Sequence, residues 1–112
     1  MRGKPFAVVP YTLRNNDIVR LSDPSMTGAA FAQDMKDEFD ILYAEGEHRR
    51  RMMSFSLHDR IGGMPRAVKA AEDFITYAKS HPDVAFMRKD EIAKWALSRN
   101  DTPTNPPRTF PL

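Results

Sequence analysis

An α/β fold of about three parallel strands and three helices is what this sequence predicts, and two observations carry the prediction. Three short apolar runs alternate with three amphipathic segments, in the order strand, loop, helix, strand, helix, strand, helix. That order joins parallel strands through right-handed crossovers. The second observation is compositional: 112 residues, 41% hydrophobic and 29% charged, suit one ordinary globular domain and not a disordered chain. Three strands are few for a parallel sheet, which buries both faces under helices or closes into a barrel. The prediction is therefore either a very small α/β unit or part of something larger.

The first run, Phe6-Ala7-Val8-Val9, is preceded by Lys4-Pro5 and closed by Pro10, which cannot donate to a sheet ladder. Leu13 to Met26, rich in Asn, Asp, Ser and Pro, reads as a long loop. From about Ala29 to Glu45, Phe31, Met35, Phe39 and Leu42/Tyr43 recur at helical spacing, and Gly46 is placed to stop that helix as a left-handed cap. Met52-Met53-Ser54-Phe55-Ser56-Leu57-His58 alternates large apolar with small polar residues, the period of a strand, and Asp59 to Met64 reads as a flexible turn. Pro65 suits a first helical position; Val68, Ala71, Ile75 and Ala78, with Phe74, then form one stripe up to His81-Pro82. Val84-Ala85-Phe86-Met87 is the third predicted strand. Asp90 and Glu91 suit a helix N-terminus, with Ile92, Trp95 and Ala96 directed inward. Residues 1–99 make up the predicted unit, and residues 100–112, with four of the nine prolines, a Pro-rich tail.

Composition excludes several kinds of chemistry. With no cysteine there are no disulfides, no zinc knuckles and no thiol catalysis, a usage that suits a reducing, cytoplasmic setting. No stretch approaches the roughly 20 apolar residues of a membrane span, and Met1-Arg2-Gly3-Lys4 opens no signal-peptide pattern. A net charge of +2 spread along the chain gives no basis for nucleic acid. Arg49-Arg50-Arg51 beside His48 adjoins Glu45 and Glu47 and reads as a solvated turn. There is no Gly-rich phosphate loop, no Gly-x-Ser-x-Gly elbow and no His-x-x-x-His pair, and no ligand spacing supports a metal held by this chain alone.

His58 is the most informative residue. It ends the second predicted strand and precedes a turn with two glycines; by period-two geometry it shares a face with Ser54 and Ser56, while Met53, Phe55 and Leu57 take the other. In a parallel α/β barrel the C-terminal ends of strands carry the chemistry, which makes a histidine there a general acid/base candidate. The same place equally suits a histidine that bonds a loop carbonyl. Asn16-Asp17, in the long loop at the corresponding end of the sheet, suits a pair that fixes its loop by bonding its own backbone; the functional alternative is contact with substrate at the mouth of a site. Tyr11 either stacks on a substrate ring or plugs the strand end. Arg60 either touches an anionic or carbonyl group or is simply solvated. His81 beside Pro82 reads as a helix-terminal residue favoured by the dipole.

Val8-Val9-Pro10-Tyr11-Thr12 followed by Asn16-Asp17, then Phe39-Asp40-Ile41-Leu42-Tyr43-Ala44-Glu45-Gly46, then Met52 to His58, is similar to the C-terminal portion of the polysaccharide deacetylase (NodB-homology) family. The branch it resembles contains cofactor-free allantoinases and related cyclic-amide hydrolases. Ile61-Gly62-Gly63-Met64-Pro65-Arg66 through Phe74, and Arg88-Lys89-Asp90-Glu91-Ile92-Ala93, fit the same branch, so the resemblance covers roughly Lys4 to Leu97. It implies the C-terminal part of a distorted (β/α) barrel and hydrolysis of a non-peptide carbon–nitrogen bond, in an N-acetyl sugar or a ring amide. It also implies that His58, in Leu57-His58, is the general acid that protonates the departing nitrogen, held by an aspartate lying upstream. Asn16, Tyr11 and Arg60 are the candidate substrate contacts.

Deacetylase members hold a divalent metal such as zinc with an aspartate and two histidines, and use another aspartate as base. Those motifs belong to the N-terminal half of the family fold and are missing here, so this chain is expected to hold no metal itself. A full barrel runs to about 250 residues. The resemblance thus points to a C-terminal fragment with a truncated or internal start at Met1, inactive or nearly so alone, whose partner is a small-molecule or saccharide amide. The rival is a non-catalytic α/β module, or half of a split barrel, that self-associates through open sheet edges.

Overall fold

The computed structural model describes residues 4–101, which fall into two compact units: Tyr11–Ala85, and residues 4–10 together with 86–101. The predicted Pro-rich tail lies, past Asp101, outside the described residues. Regular structure among the described residues consists of helices α1 (Asp17–Leu21), α2 (Gly28–Glu45), α3 (Asp59–Gly62), α4 (Pro65–Lys79) and α5 (Lys89–Ser98). Beside them is one isolated parallel bridge, between Asn16 and Ser56. None of these helices is long and apolar enough to cross a membrane.

The three expected strands are therefore absent from the described residues, and the molecule is helix-rich. A parallel strand is held by hydrogen bonds to neighbours along its edges. The run 52–58 has a single bridge, to a loop residue, and the runs 6–9 and 84–87 have none. The alternation in 52–58 still orients side chains: Met53 and Phe55 pack against the core while Ser56 makes the bridge. Leu57 departs from the expected apolar face and is 44% exposed.

The core of the Tyr11–Ala85 unit is α2 laid against α4. Phe31, Met35 and Phe39, spaced by four, are buried with Ala32 along one stripe of α2. The buried face of α4 is Ala67, Ala70, Ala71, Phe74 and Ala78. Large side chains on one helix thus meet alanines on the other, which lets the backbones approach. Ala71, Phe74 and Ala78 of the predicted stripe are buried as expected, Ala67 and Ala70 join them, and Val68 is exposed while Ile75 only packs against the rim. Phe74 meets Phe39 and Phe55 edge to face, with ring centroids 6.1 and 5.4 Å apart.

Capping fixes the helix ends. Thr27 accepts from the N–H of Ala30 at 3.0 Å at the start of α2, and Pro65 opens α4. Gly46 closes α2 with right-handed angles (φ −62°, ψ −19°), not as a left-handed cap. The end is satisfied instead by tightening: Gly46 donates to the Tyr43 carbonyl and His48 to that of Glu45, both three residues back. His81, past the end of α4, bonds the Tyr77 carbonyl through Nδ1 at 2.8 Å and lies against the rings of Phe39, Tyr43 and Tyr77. The run Arg49 to Arg51 is tied to α2, with Arg49 and Arg51 both pairing Glu45.

In the other unit, Glu91 Oε2 accepts from the N–H of Arg88 at 2.8 Å and fixes the first turn of α5. No residue of α5 is fully buried; Ile92 and Ala96 are half-buried, and Trp95, expected inside, is 42% exposed with the Arg99 guanidinium 5.8 Å from its ring centre. So short a unit has too little apolar chain to enclose a helix.

Candidate active site

The loop between Leu13 and Met26, expected to be irregular, contains α1, and that helix builds the site. Its sequence signal is an N-cap asparagine followed by an acid in the first turn: Asn16 Oδ1 accepts from the N–H of Ile18 at 3.1 Å, with Asp17 next. Two backbone bonds then lock this start to the end of the alternating run. Ser56 donates to the Asn15 carbonyl at 2.8 Å, and Asp17 donates to the Ser56 carbonyl at 3.1 Å. The loop is also tied to α2, since Asn15 Nδ2 donates to Glu38 Oε2 and Arg14 pairs with Glu38 Oε1 at 3.1 Å.

This register places Asp17 beside His58, a residue 41 positions away in sequence. Asp17 has no solvent exposure, and a buried carboxylate is costly unless donors surround it. Three do. His58 Nδ1 lies 2.6 Å from Oδ1, the N–H of Ile18 donates to Oδ1 at 2.8 Å, and the backbone N–H of His58 donates to Oδ2 at 2.7 Å. The carboxylate therefore fixes both the main chain and the ring of His58. Because Oδ1 only accepts, Nδ1 carries a proton, leaving Nε2 as the exchanging nitrogen. The His58 side chain is 46% exposed, so one end of the pair is dry and the other reaches solvent.

His58 is also the N-cap of α3, whose single turn replaces the flexible turn expected over 59–64; the N–H of Gly62 returns to the His58 carbonyl at 2.5 Å. Asn16, a candidate substrate contact, is buried and spends its side-chain oxygen on the α1 cap. Tyr11 is 68% exposed and Arg60 lies exposed on α3. The fold thus gathers His58 with Asn16 and Asp17 and leaves Tyr11 and Arg60 at the surface. The expectation that the aspartate holding this histidine lies upstream is corrected: the carboxylate on His58 is Asp17 of this chain. No three His, Asp or Glu side chains among the described residues converge on one point.

No family model matches the chain. It is 31% identical over 93 residues to a Schizosaccharomyces pombe protein assigned to the polysaccharide deacetylases, covering 81% of this chain and 29% of that protein. Two solved structures are similar. One is a Pseudomonas aeruginosa PAO1 protein also assigned to the polysaccharide deacetylases: 42% identity, TM-score 0.73, covering 80% of this chain and 31% of the other. The second is Puue allantoinase: 43% identity, TM-score 0.77, covering 86% of this chain and 32% of the other. The chain therefore spans about a third of the length of each relative.

Proposed function

We propose that the chain is part of a hydrolase of the polysaccharide deacetylase family, in its allantoinase-like branch, and that it supplies the proton-donating side of a site that hydrolyses an amide carbon–nitrogen bond. Amide nitrogen leaves only when protonated, and imidazole delivers a proton near neutral pH. His58 carries that proton on Nε2 while Asp17 retains the one on Nδ1 and stabilises the ring when both nitrogens are protonated. The part of Asp17 is to hold the ring, and its two oxygens face three donors. The observation that carries the reading is this fully buried aspartate bonded to a half-exposed histidine.

Amide hydrolysis also needs an activated water and a polarised carbonyl. The Asp17–His58 pair provides neither, so turnover requires groups beyond it, and the chain alone is inactive or nearly so. The substrate class is an N-acetyl sugar or a ring amide, met at the exposed edge of His58, with the exposed Tyr11 and Arg60 as candidates for its contacts and Asn16 holding the α1 start instead.

The test is a chimera in which this chain replaces the matching third of the Pseudomonas relative, assayed against acetylated chito-oligosaccharide and allantoin with and without divalent metal. Hydrolysis that falls about 100-fold or more in His58→Ala supports the reading, that being the scale of general acid catalysis. An active chimera in which His58→Ala keeps its rate overturns it. Robust turnover by the unfused chain would overturn the claim that it is inactive alone.

A further inference from the structure

Gly62 ends α3 where that turn passes over the Asp17 carboxylate. A Cβ on Gly62 would lie 2.9 Å from Leu57 Cβ, nearer than real Cβ atoms come to a neighbour, and 3.0 Å from Asp17 Oδ2, tighter than nearly all Cβ contacts. The backbone is helical there, as any residue can be, so conformation gives no reason for glycine; space does. On its other side Oδ2 accepts the N–H of His58 at 2.7 Å, and the N–H of Gly62 bonds the carbonyl of the same histidine. The carboxylate is thus confined between the main chain of His58 and the bare Cα of Gly62.

We propose that Gly62 is a positioning residue for the Asp17–His58 pair: its missing side chain is the space in which one carboxylate can hold the backbone and the ring of His58 together. The two oxygens of a carboxylate move as one plane. A Cβ that displaces Oδ2 therefore also turns Oδ1 away from Nδ1. Gly63 is the internal control, because its Cβ would meet only the Asp59 carbonyl, 2.8 Å away within the same turn. Substitution there strains α3 without touching the carboxylate. The proposal rests on the hydrolase reading for what the pair is for, and not for the geometry itself.

The experiment is nitrogen-15 NMR on the full chain, reading the Nδ1 proton of His58 and the titration of its ring. In Gly62→Ala the Nδ1 proton resonance is lost and the ring titration moves, while Gly63→Ala keeps both and circular dichroism stays native in each. A Gly62→Ala spectrum identical to the parent overturns the proposal, and so does a Gly63→Ala variant that changes both readouts equally. Should Gly62→Ala not fold, the Asp17→Ser background decides. Recovery of folding in the double variant assigns the space to the carboxylate; a double variant that stays unfolded assigns it to Leu57 and overturns the proposal. Turnover enters none of these measurements, so the geometry and the hydrolase reading fail separately.

Discussion

Asp17 holds His58 twice, taking its backbone N–H on Oδ2 at 2.7 Å and facing its Nδ1 with Oδ1 at 2.6 Å. An amide of the same shape cannot keep every one of these bonds. In Asp17→Asn the NH2 either faces the backbone N–H of His58, donor against donor, or faces Nδ1, which accepts it only as the other tautomer while the N–H of Ile18 loses its acceptor on Oδ1. An unsatisfied buried donor costs about 1–3 kcal/mol. Asp17→Asn is expected to lower the unfolding free energy read from urea denaturation by that amount, and a midpoint equal to the parent's would show that the pair is not held as described.

Gly28, the first residue of α2, tests the crossing of the two core helices. A Cβ there would meet the carbonyl oxygen of Arg66 well inside contact distance, with the Arg66 carbonyl carbon 3.1 Å away. Backbone cannot swing aside as a side-chain tip can, and Arg66 is tethered by its guanidinium to the Leu21 carbonyl at 2.7 Å. Alanine is the better helix former by about 1 kcal/mol, while overpacking costs about 1–3 kcal/mol. The steric loss is expected to win, so Gly28→Ala should lower the denaturation midpoint; a stabilised variant would show that the helices separate freely here.

How far the sequence was legible follows from the range of the interactions involved. The stripe Phe31, Met35, Phe39 could be read because the helical period and bulky side chains coincide. On α4 the stripe was right at Ala71, Phe74 and Ala78 and wrong at its edge, where Val68 outweighs Ala67 and Ala70 as a hydrophobe yet is exposed while those alanines are buried. Apolar runs were legible as runs but not as strands, because ladder partners lie outside the pattern of a single segment. His58 stood out by its place after the alternating run. Its partner did not: Asp17 is 41 residues away and is brought to it by a two-bond bridge that no local pattern encodes. The one available signal was Asn16 as a helix cap, which would have marked α1 and set Asp17 in its first turn.

Tyr77 on α4 donates its hydroxyl to Asp40 on α2 at 2.5 Å, and the acceptor pushes the phenol above its ordinary value near 10, with burial and the charges of Asp40 and Asp37 acting in the same direction. A group whose folded value is raised contributes stability that is complete below the unfolded value and lost as pH rises through the folded one. The contact should hold α2 to α4 throughout the neutral range and fail only in alkali above pH 10. Ultraviolet titration, with Tyr77→Phe to identify the transition, should show the Tyr77 midpoint fall in Asp40→Asn. A midpoint indifferent to Asp40 would sink the assignment.

Asp83 turns the chain after α4 with φ at 62°, the left-handed region that an Asp side chain tolerates and most side chains do not. No other described residue apart from glycine has a positive φ. Glycine enters this region without strain, but its unfolded chain has more freedom to lose, about 0.5–1 kcal/mol. Those two effects nearly offset, so Asp83→Gly should leave the melting temperature close to the parent's. Asp83→Ala keeps the strain and loses the short polar group that eases it, and is expected to cost about 1 kcal/mol; Asp83→Val, branched at Cβ, should cost more. Thermal unfolding of the three variants should therefore rank Gly and Asp together, then Ala, then Val. An alanine variant as stable as the parent would mean that the turn relaxes to a negative φ without cost.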